Sequence, residues 1–417
     1  MQKIRKFIIS FIAAIVLFQF NAFAYDNVMY IWQRNWDEYL HNSIATISDE
    51  TEHFTALCGD LKFQDDKPVI GTININWSYL TETETSTTLA FRISTEAGTL
   101  LQKDSIAITV DAIYQTITKA INGAPANQVV GVQFDYDCPT SKLNTYANFL
   151  ELFKAKALDL KISITALPTW LNNRQFTALI KETDYYVLQL HSFEVPKTRE
   201  QAREIFSNKR SRDYIKKASS LKRPYYISLP TYGYEVAFDS DGKFIGLRAE
   251  SANILWGDKI QHEVAVVSVD KILDFLAYIK KEKPAFFKGI CWFRLPIKTD
   301  EFNWDIKTLI AVLNNRNPET SFNIELSRKE DGLVEVYLVN TGQQNYWKDV
   351  SFDIVWSKKE KPIYDVLGSY KDNLIFKDKT IHFSGPAPKV GEKTLVSWLR
   401  IDNNNTIKSG GVIYEDK

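Results

Sequence analysis

From Val28 onward, short β-rich segments alternate with stretches of helical periodicity, and this alternation constrains the fold more than any other feature. The β-rich segments are Val28 to Gln33, Phe54 to Leu61, Thr88 to Ile93, Val129 to Asp135, Lys161 to Leu167, Tyr185 to His191, Tyr225 to Leu229 and Gly289 to Phe293. The helical stretches are Ala107 to Ile121, Thr145 to Ala157, Asn173 to Lys181, Glu200 to Ser219, Ser268 to Lys281 and Asp305 to Asn314. Such alternation is typical of parallel βαβ units. Eight β-rich segments with intervening helices over about 290 residues predict an α/β chain with a TIM-type (β/α)8 barrel at residues 25–316.

Two excursions interrupt the barrel pattern. We expect a hairpin around Thr72 to Leu80 and a long loop from Gly233 to Trp256.

The pattern changes after Asn317 and Pro318 to short alternating strands separated by Gly and Asn turns. These strands are Phe322 to Leu326, Leu333 to Val339, Val350 to Trp356, Thr380 to Phe383, Thr394 to Ile401 and Gly411 to Tyr414. Short alternating strands predict a small all-β, immunoglobulin-like domain at residues 317–417. It either packs on the barrel or binds carbohydrate through tryptophans, and packing is the favoured alternative. The tryptophans concerned are Trp347, Trp356 and Trp398.

Residues 1–24 have the three parts of a secretory signal peptide in order. Cations at Lys3, Arg5 and Lys6 precede an apolar run from Phe7 to Phe20, and Ala22-Phe23-Ala24 supplies a cleavage site. A retained anchor is the alternative, because the run approaches the length of a membrane span. We expect cleavage, a periplasmic or secreted protein, and no stable membrane anchor afterwards.

Charge and cysteine content exclude several classes of partner. Lys and Arg number 51, as do Asp and Glu, so no net field attracts nucleic acid. An uncharged partner fits these equal numbers of cationic and anionic residues better than nucleic acid does. The three cysteines, Cys58, Cys138 and Cys291, allow at most one disulfide, and we expect buried free thiols. Their spacing matches no metal site and no cofactor fingerprint is present, so we expect neither metal nor cofactor. The sequence leaves the oligomeric state open.

The strongest candidates for catalytic residues lie in the fourth β-rich segment, Gly131-Val132-Gln133-Phe134-Asp135-Tyr136-Asp137-Cys138-Pro139. Side chains alternate along a strand, so Gln133, Asp135 and Asp137 share the face predicted to point into the barrel. Carboxylates two residues apart lie about 6 to 7 Å from each other, and their repulsion raises a pKa. A carboxylic acid that keeps its proton near neutral pH is what glycosidic cleavage requires. The alternative is a pair that only shapes the loop.

This segment resembles the fourth-strand signature of chitinase-type (family eighteen) glycoside hydrolases, in which Asp, Asp and Glu alternate before a Pro. The resemblance implies that Asp135 positions the substrate and the acid, and that Asp137 is the general acid. Gln133 stands where the family has its first Asp, and Asp137 is one methylene shorter than the expected Glu. The sixth predicted strand lacks the family's Tyr-Asp pair and offers Gln189 and His191, whereas Trp292 matches the family's aromatic floor.

Over residues 28–296 the chain resembles an uncharacterised family of exported bacterial proteins with a hydrolase-like barrel. The stretches concerned are Tyr30 to Trp36, Gln133 to Pro139, Thr165 to Leu171, Ser228 to Gly233 and Gly289 to Pro296. This resemblance implies a fold and a location but no reaction.

Other strand ends carry residues suited to a sugar. Aromatic rings stack on pyranose faces, and amide, imidazole and guanidinium groups hydrogen-bond hydroxyls. The predicted substrate-binding residues are Gln33, Trp36, Gln133, Trp170, Gln189, His191, Tyr232, Trp292 and Arg294, with Trp32 a further stacking candidate. A second catalytic carboxylate is sought among Asp60, Glu194 and Glu235.

Two hypotheses follow. The first is a metal-independent glycoside hydrolase acting on a polysaccharide or oligosaccharide, with Asp135 and Asp137 catalytic. The second is a non-catalytic glycan-binding or scaffold barrel, which the departures from the chitinase-type signature favour.

Overall fold

The computed structural model describes residues 25–102, 104–156, 160–191, 196, 199, 205–250, 254, 256–257, 259–358, 360–371, 374–401 and 406–414. These residues form two compact units. The first consists of the described residues of Met1–Ser192, Phe206–Pro230 and Asp274–Leu295, and the second of those of Phe193–Ile205, Thr231–Leu273 and Pro296–Lys417. The predicted division at residue 317 stays a prediction.

Eight parallel strands close into a barrel in the first unit, which confirms the predicted fold class. They are β1 (Asp26–Ile31), β2 (His53–Gln64), β4 (Ser86–Ile93), β5 (Val129–Tyr136), β6 (Lys161–Ala166), β7 (Tyr185–Gln189), β8 (Tyr225–Pro230) and β12 (Phe287–Phe293). Their order is β1-β12-β8-β7-β6-β5-β4-β2, and pairing of β1 with β2 closes the ring. Each corresponds to one of the eight predicted segments.

The first excursion differs from the expected hairpin. Strand β2 continues past the barrel and pairs antiparallel with β3 (Lys67–Thr72), so the turn lies at Asp65 and Asp66. Both turn residues have positive φ, which Asp tolerates better than most residues. The predicted hairpin region instead ends in a short helix, α2 (Trp77–Thr81).

Helices connect the strands largely where the periodicity predicts them. They are α1 (Glu38–Ile47), α3 (Ile106–Asn122), α4 (Leu143–Lys154), α5 (Arg174–Leu179), α6 (Asn208–Ser220), α7 (Val269–Glu282) and α8 (Ile306–Leu313). The sequence analysis misses α1, although Asp37 caps it by accepting a hydrogen bond from the Leu40 N–H. No helix of the described residues is long and apolar enough to cross a membrane. The predicted signal peptide, residues 1–24, lies outside the described residues.

Aromatic packing fixes which face of β5 points into the barrel. Phe134 packs edge-on against Phe149 and Phe153 of α4, and Tyr136 packs edge-on against Tyr146. A Cβ on Gly98 would lie 1.8 Å from the Tyr136 hydroxyl, so only glycine leaves room for this ring. Because side chains alternate, these contacts turn Gln133 and Asp135 toward the barrel interior.

In the second unit, the predicted long loop contains strands. Strand β9 (Gly233–Phe238) pairs antiparallel with β10 (Phe244–Arg248) and β11 (Gln261–Val266). The alternation in Gly233-Tyr234-Glu235-Val236-Ala237-Phe238 is a strand signal that the assignment of a loop overlooked.

The C-terminal part of the second unit forms two antiparallel sheets. One contains β13 (Phe322–Arg328), β14 (Leu333–Asn340), β19 (Lys393–Arg400) and β16 (Ile363–Val366). The other contains β17 (Ile375–Lys377), β18 (Thr380–Pro386), β15 (Asp349–Trp356) and β20 (Ile407–Ser409). Residues of both sheets share one apolar core, as in a sandwich. The predicted strand at Gly411 to Tyr414 is reduced to one bridge, between Ile413 and Ser351.

Candidate active site

The barrel interior contains a column of polar side chains from β5. Gln133 accepts a hydrogen bond from the Tyr30 hydroxyl of β1 and donates one to Ser163 Oγ of β6 at 3.2 Å. Two residues further along β5, Asp135 Oδ1 accepts hydrogen bonds from Thr165 Oγ1 at 2.7 Å and from Gln189 Nε2 at 3.4 Å. Bonds from β5 to β1 and β7, which are not its neighbours, cross the barrel. The predicted inward face of β5 is therefore observed.

Asp135 and Asp137 mark the carboxyl end of β5. Burial raises the pKa of Asp135 to about 6, the charge of Asp137 adds to the rise, and the Thr165 hydrogen bond and the Arg92 charge oppose it. Asp137 lies one residue beyond the strand and is exposed, although the surrounding walls remove enough water to raise its pKa as well. The pair thus combines an inner acid that keeps its proton near pH 6 with an outer carboxyl that a ligand can reach.

Charges of alternating sign continue along the neighbouring strands. Arg92 of β4 lies in register with Asp135 on one side and with Asp60 of β2 on the other. Asp60 is buried and forms an ion pair of 2.5 Å with Arg34, which follows β1. Two strand spacings separate the Asp60 and Asp135 backbones by roughly 9 to 10 Å. The carboxyl ends of the barrel strands, called the rim below, therefore carry the carboxyl groups of Asp60 and Asp135. They also carry the guanidinium groups of Arg34 and Arg92.

Aromatic rings line the opposite side of the rim. The Phe293 ring stacks on His191 with a centroid distance of 5.3 Å and meets Trp32 edge-on, also at 5.3 Å. All three side chains are partly buried. Burial lowers the pKa of His191 to about 4, so its imidazole is neutral at neutral pH, and its Nε2 lies 3.0 Å from Ser228 Oγ. A neutral, partly apolar wall faces the carboxyl pair.

Four predicted substrate-binding residues have packing roles instead. Gln33 donates to the Leu295 carbonyl at 2.8 Å and accepts from the Trp32 N–H, so its amide is used by the backbone. The Gln133 amide is used by two side chains, since it accepts from the Tyr30 hydroxyl and donates to Ser163 Oγ. Trp170 and Trp292 are both 0% exposed, which leaves no ring face for a sugar. We therefore correct the expectation that these four side chains bind substrate.

Trp292 lies on the face of β12 that points away from the barrel interior. Cys291 packs inside the barrel with Val28 and Tyr30, so the next side chain, Trp292, points outward and donates to Asn27 Oδ1 at 3.1 Å. Phe293 is the inward-facing aromatic ring at the end of β12. The aromatic floor that the resemblance assigns to Trp292 is thus provided by its neighbour.

Trp170 supports the strand end from behind, because its indole N–H donates to the Cys138 carbonyl at 3.1 Å. We expect Trp170→Phe to lower the free energy of unfolding by about 1–2 kcal/mol, since this carbonyl loses its partner inside the protein. Urea unfolding of the variant and the wild type measures the difference. Equal stability would contradict the packing role and return Trp170 to the candidate ligand contacts.

The remaining predicted residues are distributed over both units. Gln189 and His191 lie at the barrel rim, and Arg294 follows β12 as a half-buried side chain. Trp36, also half-buried, lines a cavity of 580 Å³ beside Arg34. Tyr232 belongs to the second unit, where it packs edge-on against Tyr234. Its role in substrate binding stays a prediction.

The three further carboxylates differ in their surroundings. Asp60 is paired with Arg34, as described above. Glu235 accepts hydrogen bonds from Arg248 and Trp256 within the second unit. Glu194 lies outside the described residues. Within the barrel unit, Asp60 is accordingly the carboxylate that accompanies the Asp135 and Asp137 pair.

The cysteines are three buried free thiols, in agreement with the sequence analysis. Across the described ranges, no group of three or more His, Cys, Asp or Glu side chains is arranged to hold a metal ion. A cavity of 840 Å³ lies within the second unit; its lining includes Trp347 but none of the catalytic or substrate-binding residues predicted for the barrel. Its volume alone does not make it a reaction site, so the carboxyl pair defines the candidate site.

Sequence reasoning missed several members of the site. Arg92, Thr165, Ser228 and Phe293 all face inward at or near the carboxyl ends of their strands. The alternation rule, applied outward from Asp135 through the strand register, finds Arg92 and Thr165. It requires the register, which the sequence does not provide.

Residues 94–298 match the family model described as "Domain of unknown function (DUF3142)". No curated protein sequence matches the chain. Three of the solved structures that are similar to it come from Bacillus, Chromobacterium and Flavobacterium. The spore cortex-lytic enzyme SleL of Bacillus cereus has a TM-score of 0.50 and 14% identity, with 70% of this chain and 74% of that chain covered. A chitinase of Chromobacterium violaceum ATCC 12472 has a TM-score of 0.49 and 11% identity, with 70% of this chain and 98% of that chain covered. The GH18 chitinase ChiB of Flavobacterium johnsoniae has 0.44 and 12%, with 70% and 93% covered.

At such identities the similarity concerns the fold, and the SleL match supports a barrel of the same type. The chain therefore resembles an uncharacterised domain family over residues 94–298 and has a barrel similar to that of SleL.

Proposed function

We propose that the barrel mouth hydrolyses glycosidic bonds in an extracytoplasmic polysaccharide. The observation that carries the proposal is the carboxyl pair at the end of β5, in which Asp135 has a pKa of about 6 and Asp137 is accessible. A glycosidic oxygen leaves slowly until it is protonated, and a carboxylic acid that keeps its proton near neutral pH supplies that proton. The export signal predicted at residues 1–24 supports a substrate outside the cytoplasm.

In the proposed reaction, Asp137 donates its proton to the glycosidic oxygen. The bond between that oxygen and the anomeric carbon breaks, and the electron pair stays on the departing oxygen. Water then adds to the anomeric carbon and gives a proton to the Asp137 carboxylate, which restores the acid. In the resting pair, Asp135, held by Thr165 and Gln189, keeps its proton near pH 6, and in the proposed reaction this proton passes to Asp137 before the glycosidic bond breaks.

The rest of the rim supports binding of a sugar. Trp32, His191 and Phe293 offer a partly apolar wall, which suits a pyranose face. Gln189 and Arg294 are polar and only partly buried. This mixture of a few polar groups with an apolar wall is typical of small-ligand sites.

A non-catalytic glycan-binding barrel is the second candidate, and one observation favours it. Gln133, neutral and satisfied by Tyr30 and Ser163, occupies the position where the resembling hydrolases have a third carboxyl group. A barrel that had lost its chemistry would retain the aromatic wall and bind glycan without cleaving it.

The experiment is incubation of the wild type with a panel of neutral and acidic polysaccharides, followed by measurement of released reducing ends. A variant with Asn at both 135 and 137 is the control. We expect release by the wild type alone from at least one polysaccharide. Binding of a polysaccharide with no release by the wild type would reject hydrolysis and support the second candidate.

A further inference from the structure

A separate cavity of 580 Å³ lies at the carboxyl end of β1, next to the loop that follows β3. Its volume falls within the range of small-ligand sites. It is lined mainly by planar polar side chains, namely Arg34, Asn35, Trp36, Asp37, Asn74 and Asn76. Planar amide and guanidinium groups pair with ligands that both donate and accept hydrogen bonds, and the indole ring adds a flat apolar surface.

Arg34 is held in place by a buried partner. Its side chain is 51% exposed, whereas the side chain of Asp60, which it meets at 2.5 Å, is only 5% exposed. The ion pair uses one terminal nitrogen, and the other N–H donors of Arg34 have no hydrogen-bond partner among the described residues. A guanidinium fixed by one carboxylate loses less entropy when its free donors bind a ligand.

Trp36 packs, with its ring tilted, against a pair of stacked rings. It lies against Tyr79 at a centroid distance of 6.3 Å, and Tyr79 stacks on His41 at 4.1 Å. His41 is in turn hydrogen-bonded to Glu82 at 2.8 Å. An indole ring held in this way offers a flat surface without the cost of ordering it.

Two exposed amides complete the cavity. Neither Asn35 nor Asn74 has a hydrogen-bond partner among the described residues, so both are available to a ligand. The charges of the cavity do not favour an anion, because Asp60 balances Arg34 and Asp37 adds a further negative charge. A neutral ligand rich in hydroxyl groups fits this set of donors, acceptors and one fixed ring.

We propose that this cavity is a second sugar subsite, which binds a neutral pyranose unit of the chain whose glycosidic bond lies at Asp137. The proposal rests on the proposed function and deepens it, because it makes the substrate a neutral oligosaccharide of several units. Asp60 links the two places: it holds Arg34 and lies in register with Arg92, the neighbour of Asp135.

The test measures binding alone, so that it is independent of hydrolysis. Asp137→Asn protein is titrated by calorimetry with chito-oligosaccharides and cello-oligosaccharides from dimer to hexamer, and with oligogalacturonates as the acidic ladder. We expect affinity for one neutral ladder to increase with length. Trp36→Ala and Arg34→Gln, added to Asp137→Asn, should each weaken the hexamer about tenfold and leave the shortest bound oligomer unchanged.

Controls separate the subsite from general damage. Phe286→Ala removes an aromatic ring that is 45% exposed just before the amino end of β12, away from this cavity, and should leave all affinities unchanged. Trp36→Phe keeps an aromatic ring and should restore most of the loss. Equal weakening of short and long oligomers, or preference for the acidic ladder, would overturn the subsite while the proposed hydrolysis stands. If no ladder binds the Asp137→Asn protein, the subsite is rejected, whatever the hydrolysis assay shows.

Discussion

Asp137→Asn is expected to lower kcat for hydrolysis of a polysaccharide by about 10²- to 10⁴-fold, the usual contribution of a general acid. Asn has nearly the same shape but no proton to donate to the leaving oxygen. Asp137 is exposed one residue past the end of β5, so the substitution removes no buried contact. We expect the fold and the affinity for the substrate to be retained.

An activated substrate distinguishes loss of the acid from loss of the site. An aryl glycoside with an acidic phenol as leaving group needs little protonation, so we expect the variant to cleave it at close to the wild-type rate. Asp111→Asn is a matched control, because Asp111 is an exposed carboxylate of α3 paired with Lys156. It should leave both substrates unaffected. Full activity of Asp137→Asn on the polysaccharide would reject Asp137 as the acid.

The barrel could be predicted from the sequence because its signals are local. Hydrophobic runs and helical spacing depend on neighbouring residues, and each of the eight strands contains such a run. The error at the first excursion arose where a turn signal was ambiguous. Asp65 and Asp66 form the β2 to β3 turn through positive φ, which the residue types permit but do not require.

The carboxyl pair could also be predicted, because alternation along β5 depends only on that strand. The aromatic wall could not. Choosing Trp292 over Phe293 required knowing which face of β12 points inward, and a shift of one residue reverses it. Large apolar residues occupy both faces of this strand, since one face packs in the barrel and the other under helices. The residue types of β12 therefore do not indicate which of its faces points into the barrel.

The same limit explains Trp170 and Gln33. Both occur at strand ends and have the chemistry of sugar-binding residues, yet each satisfies a backbone group of the protein itself. Sequence shows which groups a residue carries but not whether another part of the chain has already used them. Arg92 is the opposite case, since only its register with Asp135 makes an ordinary arginine part of the site.

Asp135→Asn is expected to make the protein more stable than the wild type as the pH rises through 6. The pKa of Asp135 is raised to about 6 in the folded protein, mainly by burial, whereas an unfolded Asp has a pKa of about 3.9. Folding therefore favours the protonated form. Its stabilising contribution is fully present below about pH 4 and is lost as the pH rises through about 6, by roughly 3 kcal/mol for two pKa units.

Asn imitates the protonated carboxyl at every pH, and its oxygen can still accept from Thr165 and Gln189 as Asp135 does. The Tm of the wild type should therefore fall below that of Asp135→Asn by several degrees between pH 4 and pH 7, as measured by differential scanning calorimetry. Asp137→Asn removes the like charge that helps to raise the pKa of Asp135, so its pH dependence should be weaker than that of the wild type.

Parallel Tm curves for the wild type and Asp135→Asn would mean that Asp135 ionises normally in the folded protein, and this would reject Asp135 as the holder of the proton that passes to Asp137. A Tm difference that grows with pH, together with loss of polysaccharide hydrolysis in Asp135→Asn, would show that the chain retains a destabilising carboxylate for its chemistry. That combination would separate a hydrolase from a glycan-binding barrel, because the loss of hydrolysis ties the destabilising carboxyl group to the reaction.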